Sequence, residues 1–362
     1  MKKNRTEKTL ETTIGLDLGD KNHYYHMIDQ ECVVIKKGKI GANVRAVRRF
    51  FSAQPPSLIA MEAGTHSPWI SREAHQHGHR VLVGNPRKLR MIYRNEQKSD
   101  ERDAEMLARI ARMDPQLLYP IVHRGPRAQS HLAVLKSRDV LVGARTKLIN
   151  HCRGIVKSSG ERLPTCSAAS FARHRDEIPE DLAPALQPVF EMIGELTKRI
   201  KNMDYTIKKL CEKEYPETGD LQAIKGVGPI TSLAFVLTLE QPERFAKSRA
   251  VPVYLGLTPK RDQSGDSDKQ LRITKAGDMF LRRLLVQCAQ YILGPLCEDS
   301  DLRRWGLKLC ARGGKNAKKR ATVAVARKLA VLLHRLWSGK QPYDPFYHSK
   351  QHDDENKAKQ AA

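Results

Sequence analysis

Lys98-Ser99-Asp100-Glu101-Arg102-Asp103-Ala104-Glu105 decides how the first half of the chain is read. Met106, Leu107, Ile110 and Ala111 follow at helical spacing, so the stretch predicts the opening of a helix. Asp100 and Asp103 are three residues apart and share one face of that helix. Acidic residues also favour a helix N-terminus for its dipole alone. Two further carboxylates shift the balance, because Asp17 and Glu62 each lie at or near the end of an apolar, strand-like run. Four carboxylates converging from two strands and a helix suit a hard cation, magnesium best, with manganese accepted by the same donors. Two such ions about 4 Å apart would clamp the attacking and leaving oxygens of a phosphodiester.

Around that stretch the pattern alternates strands and helices. Thr13-Ile14-Gly15-Leu16-Asp17-Leu18-Gly19 reads as a first strand, and His23–Ile28 and Cys32–Ile35 as two more, joined by a turn at Asp29-Gln30. Three strands in succession predict antiparallel hairpins. A basic helix over about Asn43–Ser52 follows, with Val44, Val47, Phe50 and Phe51 as its buried side. Ser57-Leu58-Ile59-Ala60-Met61-Glu62 is a fourth strand, apolar enough for burial on both faces. Ser67-Pro68 opens a helix, with serine as cap and proline in the first turn. His79–Val83 is a fifth strand, ended by Gly84-Asn85-Pro86, and the acidic helix then runs to about Met113. This is the order of a ribonuclease H-like fold.

The second half reads as mainly helical. Residues 128–157 are a long helix, and 158–179 a loop or short helices. Val189, Ile193, Leu196, Ile200, Met203, Ile207 and Leu210 alternate steps of four and three, the seam of a coiled coil or helical hairpin. It packs against helix 128–157, against a second copy, or both. Leu221–Thr231 carries Gly226-Val227-Gly228-Pro229 and resembles the turn of a helix-hairpin-helix motif, with backbone N–H groups facing a phosphate. Lys225, Gly226 and Gly228 are its candidate contacts. Thr258–Lys269 reads as a long polar loop. Ser264-Gly265 within it is what a nucleophile aimed at phosphate needs, and also what any surface turn looks like. Thr274–Asp278 leads into a buried helix, Met279–Leu293, with Arg282 and Arg283 on its exposed side. The cluster 312–320, with Lys315, Lys318, Lys319 and Arg320, opens a last helix over Ala321–Leu336.

Of the 362 residues, 64 are Lys or Arg and 40 Asp or Glu, a net charge of +24. Self-repulsion on that scale calls for a polyanion as partner. The seven cysteines form no CxxC pair, which argues against structural zinc or a disulfide framework and fits a reducing cytoplasm. Residues 1–11 read as a loose basic arm with no apolar signal core. No stretch approaches the roughly 20 apolar residues of a membrane span.

With these motifs in place, the sequence resembles the transposases of the insertion-sequence 110 family, the DEDD transposases that include the Piv-type DNA invertases. The resemblance covers about residues 12–340. It rests on Gly15–Gly19, Ala60–Gly64, Asn85-Pro86 and Lys98–Ala104 in the first half. In the second half it rests on Gly226–Pro229, Tyr254-Leu255-Gly256-Leu257-Thr258-Pro259, Gln263-Ser264-Gly265 and Ile273–Asp278, with Leu281–Leu285 after it. It implies a RuvC-like catalytic domain (12–125), a helical coiled-coil region (126–215) and a C-terminal transposase domain (216–340); beyond it the polar, proline-containing composition reads 341–362 as a disordered tail. It implies that Asp17, Glu62, Asp100 and Asp103 are the metal-binding acids and that Ser264, with Ser267 as fallback, is a nucleophile forming a phosphoserine link. Lys260, Arg261, Arg272 and Lys275 lie near that serine in sequence and could stabilise charge on the phosphorus centre. The resemblance further implies donor and target DNA, a guide RNA encoded by the element, and a homodimer or tetramer at the nucleoid.

Three rival readings share some of these residues. A RuvC-like junction nuclease would use the same acids with water as nucleophile. An actin-like ATPase would share the Ile14–Gly19 turn but needs a second phosphate loop, which the sequence lacks. A basic, non-catalytic scaffold would leave four acids without a role.

Overall fold

The computed structural model describes residues 10–89 and 99–351. The basic arm to residue 9, Lys98 and the end from residue 352 lie outside the described residues. The chain divides into two compact units between Arg124 and Gly125.

The first unit holds strands β1 (Thr13–Leu18), β2 (Asn22–Ile28) and β3 (Val34–Gly41), then helix α1 (Val44–Ser52). Strand β4 (Leu58–Glu62), helix α2 (Ser67–Gln76), strand β5 (Arg80–Gly84), the short helix α3 (Pro86–Leu89) and helix α4 (Asp100–Met113) follow. The five strands form one sheet in the order β3-β2-β1-β4-β5. β1, β2 and β3 pair antiparallel, whereas β4 runs parallel to β1 and β5 parallel to β4. That mixed sheet agrees with the ribonuclease H-like order read from the sequence.

Strand alternation sends one set of side chains to each face. Ile14, Leu16, Ile59 and Met61 pack with Val47 and Phe51 of α1 and Ile70 and Ala74 of α2. Leu58 and Ala60 pack on the other side with Leu107, Ile110 and Ala111 of α4. Each fully buried Leu, Ile or Met contributes roughly 1.5–3 kcal/mol, so both layers are firmly held. Burial on both faces is why β4 reads as an unbroken apolar run.

Details of the sequence reading need correction. β3 runs on to Gly41, well past Ile35, because Lys36-Lys37-Gly38-Lys39 pairs with β2 as an edge strand open to solvent. Val44 is 47% exposed and does not join the buried side of α1. Ser67 is the first residue of α2 and does not cap it; His66 holds the cap position.

Burial holds four histidines of this unit, His23, His26, His79 and His123, below the ordinary imidazole value, and is the leading cause in each. On unfolding each returns to about 6.5. The unfolded chain therefore binds more protons below that value, and the stability these groups contribute is lost as pH falls. The melting temperature of this unit is expected to drop between about pH 7 and pH 5. A flat melting profile across that window would contradict this account of the buried histidines.

The second unit begins with two long helices, α5 (Pro126–Ser158) and α6 (Ala183–Lys213). Arg127 meets Glu214, Arg138 meets Asp204 and Arg145 meets Thr197, so the two helices run antiparallel. The seam residues Ile193, Leu196, Ile200, Ile207 and Leu210 are buried within this one chain. Helices α7 (Thr218–Gln222), α8 (Pro229–Leu239) and α9 (Val251–Tyr254) follow. A hairpin of β6 (Pro259–Ser264) and β7 (Ser267–Ile273) precedes α10 (Met279–Ile292), α11 (Asp301–Cys310) and α12 (Ala317–Gly339). α8 is buried from Thr231 to Leu239 and forms the centre of the core.

Two expectations fail here. Thr258–Lys269 is not a loop: most of it is the exposed β6–β7 hairpin. Residues 341–351 are not a disordered tail, because the Asp301 carboxylate accepts hydrogen bonds from the backbone N–H groups of His348 and Ser349 and from the Ser349 hydroxyl. Among the described residues, no helix is long and apolar enough to cross a membrane.

Candidate active site

β1 and β4 are parallel neighbours in register, with Leu16 opposite Met61. The next residues, Asp17 and Glu62, therefore lie side by side at the same end of the sheet. Their face follows from alternation. Leu58 and Ala60 pack on α4, so Glu62, two residues on, belongs to that face. Gly15 also faces α4: a Cβ built on it would lie 1.9 Å from the carbonyl oxygen of Ala104. Asp17, two residues further, shares that face.

The direction of α4 brings its acidic end to the same place. Arg112 near its C-terminus donates to the Leu10 carbonyl just before β1, at 2.8 Å. Arg109 donates to the Cys32 carbonyl, past the end of β2 and so at that same edge. α4 therefore runs opposite to β1, and its first turn points toward the end that carries Asp17 and Glu62. Ser99 fixes that turn by accepting from the N–H of Arg102. Ala104, Leu107, Ala108 and Ala111 form the buried stripe of α4, and Asp100 and Asp103 continue it by one turn. The other two acids of the stretch are engaged elsewhere. Glu101 pairs with Lys37 at 3.5 Å, and Glu105 with Arg109 at 2.8 Å, which holds the Glu105 carboxyl below its usual range.

Four carboxylates and no soft ligand make a donor set that fits a hard divalent cation. Among the described residues, no group of three or more His, Cys, Asp or Glu side chains is arranged to hold a metal ion. The backbone brings the four acids to one end of one face of the sheet.

Sequence reading missed the histidines at this end of the sheet. His66, in the loop after Glu62, accepts at Nδ1 from the Trp69 indole, at 3.2 Å. Its Nε2 lies 3.6 Å from the Asp20 carboxylate in the loop after β1. A neutral His66 accepting at Nδ1 carries its proton on Nε2, toward Asp20. His23 is fully buried against His66. The His66/Trp69 spacing on one side of a helix start was the signal available.

In the second unit Ser264 ends β6 opposite Ser267, with Gly265-Asp266 between them and Gly265 at φ +54°. All of β6 is exposed. An isolated two-stranded hairpin is marginal in water, so its base matters. There Thr274 donates to Thr258 and Lys275 to Gly256 through the backbone. Gly256 and Gly277 adopt φ of +67° and +72°, and a Cβ on Gly277 would lie 1.9 Å from the Tyr254 carbonyl. Arg282 donates to the carbonyls of Leu255 and Ala276, at 2.9 and 2.8 Å. It is only 9% exposed, so its reading as an exposed phosphate contact is corrected: it locks the hairpin base.

The remaining candidates lie on the surface. Arg261 is bidentate to Asp268, while Lys260, Arg272 and Lys275 are exposed. Arg283 pairs with Asp139, and Lys225 with Glu298. Gly226 has φ +94° and packs against Tyr291, so the turn before α8 requires glycine there. The Gly228 carbonyl accepts from Thr231 and Ser232 at the start of α8. Lys315, Lys318, Lys319 and Arg320 are exposed around the first turn of α12. Positive charge opposes the helix dipole at that end, a cost that a bound phosphate would remove.

Comparison with known proteins adds the family. A family model described as "Transposase IS116/IS110/IS902 family" matches residues 219–296, and one described as "Transposase" matches residues 14–160. A "Probable family 20 transposase" of Pseudomonas aeruginosa is 30% identical over 92% of this chain and 98% of its own length. The "Transposase for insertion sequence element IS1328" of Yersinia enterocolitica is 26% identical over 88% of this chain and 94% of its own. The "Pilin gene-inverting protein" of Moraxella bovis is 22% identical over 93% and 99%. The chain belongs to the IS116/IS110/IS902 family of transposases.

Proposed function

We propose that this transposase cuts and rejoins DNA with Ser264 as nucleophile, Asp17, Glu62, Asp100 and Asp103 as magnesium ligands, and an RNA encoded by its element as guide. A transposase acts on DNA, and the DEDD domain implies dependence on a divalent metal. The observation that carries the reading is the arrival of two strand-end acids and two helix acids at one end of one sheet face. When bound, the cation polarises the scissile phosphate and stabilises the departing oxygen.

The protein's own groups do the rest. The Ser264 oxygen attacks phosphorus, an oxygen–phosphorus bond forms, and the bond to the DNA 3′ oxygen breaks. The serine proton leaves, and the departing 3′ oxygen gains one. The phosphoserine link conserves the bond energy needed for religation. The clasp at Gly256, Gly277 and Arg282 holds the hairpin that presents Ser264. Relatives named for inverting a pilin gene support cutting and rejoining over hydrolysis, because inversion requires the strands to be rejoined. The net charge of +24 is consistent with holding RNA as well as DNA. We place the working assembly at a homodimer or tetramer.

A RuvC-like hydrolytic nuclease remains the second reading, since the same acids serve water equally well. A covalent-trapping assay separates the two. Protein, magnesium, end-junction DNA and the element's non-coding RNA are mixed, quenched in denaturant and resolved for a protein–DNA adduct. An adduct is expected for the wild type and none for Ser264→Ala, with the RNA-free arm testing guidance. Cleavage without an adduct that survives Ser264→Ala would establish the hydrolytic reading instead.

A further inference from the structure

A basic groove in the first unit lies apart from every candidate named so far. It has a volume of about 540 Å³ and runs between the edge strand β3 and helix α1. Lys36, Lys39, Arg45 and Arg49 line it, and among the described residues no carboxylate does. None of these four cations makes an ion pair among the described residues. Their neighbours do: Lys37 pairs with Glu101, and Arg48 with Glu73 at 2.8 Å. What sets the groove apart is that four such cations face one concavity from two elements, while the cations next to them in sequence are paired.

The arrangement carries a cost in the free protein. Arg45 and Arg49 are four residues apart on α1, where like charges repel. Lys36 and Lys39 add two more positive charges from the facing strand. A single lysine on an edge strand is an ordinary guard against strand pairing. Four unpaired cations around one groove exceed what that guard needs. Asn43 accepts from the Ala46 N–H at the start of α1 and so fixes the helix that carries two of them, at 2.9 Å.

We infer that this groove is a binding site for the phosphodiester backbone of a nucleic acid strand. It reads charge and not sequence, because flexible lysine and arginine heads facing a run of phosphates position a strand without touching base edges. The site is separate from the carboxylates, which occupy the α4 face of the sheet, whereas α1 covers the opposite face. The inference does not depend on the serine mechanism, and its test needs no cleavage.

The test uses the full chain. Fluorescence anisotropy measures binding of a short random-sequence DNA duplex and, separately, a single-stranded RNA, across a salt series. The variant Lys36→Gln/Arg45→Gln/Arg49→Gln is compared with a control that removes equal charge, Lys37→Gln/Arg199→Gln/Lys208→Gln. The control residues are all paired, with Glu101, Glu195 and Glu212. The groove variant is expected to bind at least one probe at least tenfold more weakly, with the logarithmic salt slope reduced by roughly 2–3. Weakening confined to DNA assigns the groove to DNA phosphates, and weakening confined to RNA assigns it to RNA. Equal affinities and slopes for the groove variant and the control, with unchanged circular dichroism, overturn the inference.

Discussion

Asp103→Asn is expected to lower strand cleavage by roughly three orders of magnitude, the scale of several kcal/mol of lost charge stabilisation. The fold is expected to change little. Asparagine matches aspartate in size, and a single lost charge in the first turn of a helix costs about 0.3–1 kcal/mol. The adjacent acids supply the control. Glu101 and Glu105 are tied to Lys37 and Arg109 on the side of α4 facing β2 and β3, so Glu101→Gln and Glu105→Gln are expected to stay within about threefold of wild type, the size of a surface ion pair. Single-turnover cleavage and calorimetric titration with magnesium, run on all three variants, check this. An active Asp103→Asn, or a Glu101→Gln that loses as much as Asp103→Asn, would remove the basis for choosing these acids.

That contrast also shows what the sequence made legible. Four of the five strands and the acidic helix are visible because each has a buried side, so hydrophobic periodicity marks them; β3 has no buried residue, and only its apolar start, to Ile35, was legible. Asp17 and Glu62 are visible because each lies at the end of an apolar run. Where burial is absent, so is the signal. The extension of β3 over Lys36-Lys37-Gly38-Lys39 is an exposed edge, and β6 has no buried residue at all. Only the two-residue Gly265-Asp266 turn between polar segments marked that hairpin, and turn chemistry was the rule to apply there. Arg282 was misplaced because a charged residue on a helix is ordinarily put in water. Its burial depends on two carbonyls, from Leu255 and Ala276, that no local pattern reveals. The seating of residues 341–351 depends in the same way on partners far away in sequence, among them the Asp301 carboxylate some forty residues earlier.

Gly15→Ala is expected to damage both stability and activity through one backbone contact. Helix α4 crosses β1 so closely that a methyl group on Gly15 would lie 1.9 Å from the Ala104 carbonyl and 2.6 Å from the Ala108 nitrogen. Both are backbone atoms inside a helix, so no rotamer change relieves the overlap, and α4 must move. Overpacking of this kind costs about 3 kcal/mol, a fall in melting temperature on the order of 10 °C for a unit of this size. The consequence for the site is larger than the stability loss suggests. Asp17 is fixed to β1, while Asp100 and Asp103 ride on α4, so lifting the helix separates the two pairs of carboxylates. Cleavage is therefore expected to fall at least a hundredfold even at a temperature where the variant is fully folded, as an ångström of misplacement typically costs. Gly64→Ala is the matched control, because open space surrounds that position in the loop after Glu62. Thermal melts and single-turnover rates on both variants give the answer. If Gly15→Ala melts and cleaves like Gly64→Ala, the close seating of α4 on β1 is not what brings the acids together.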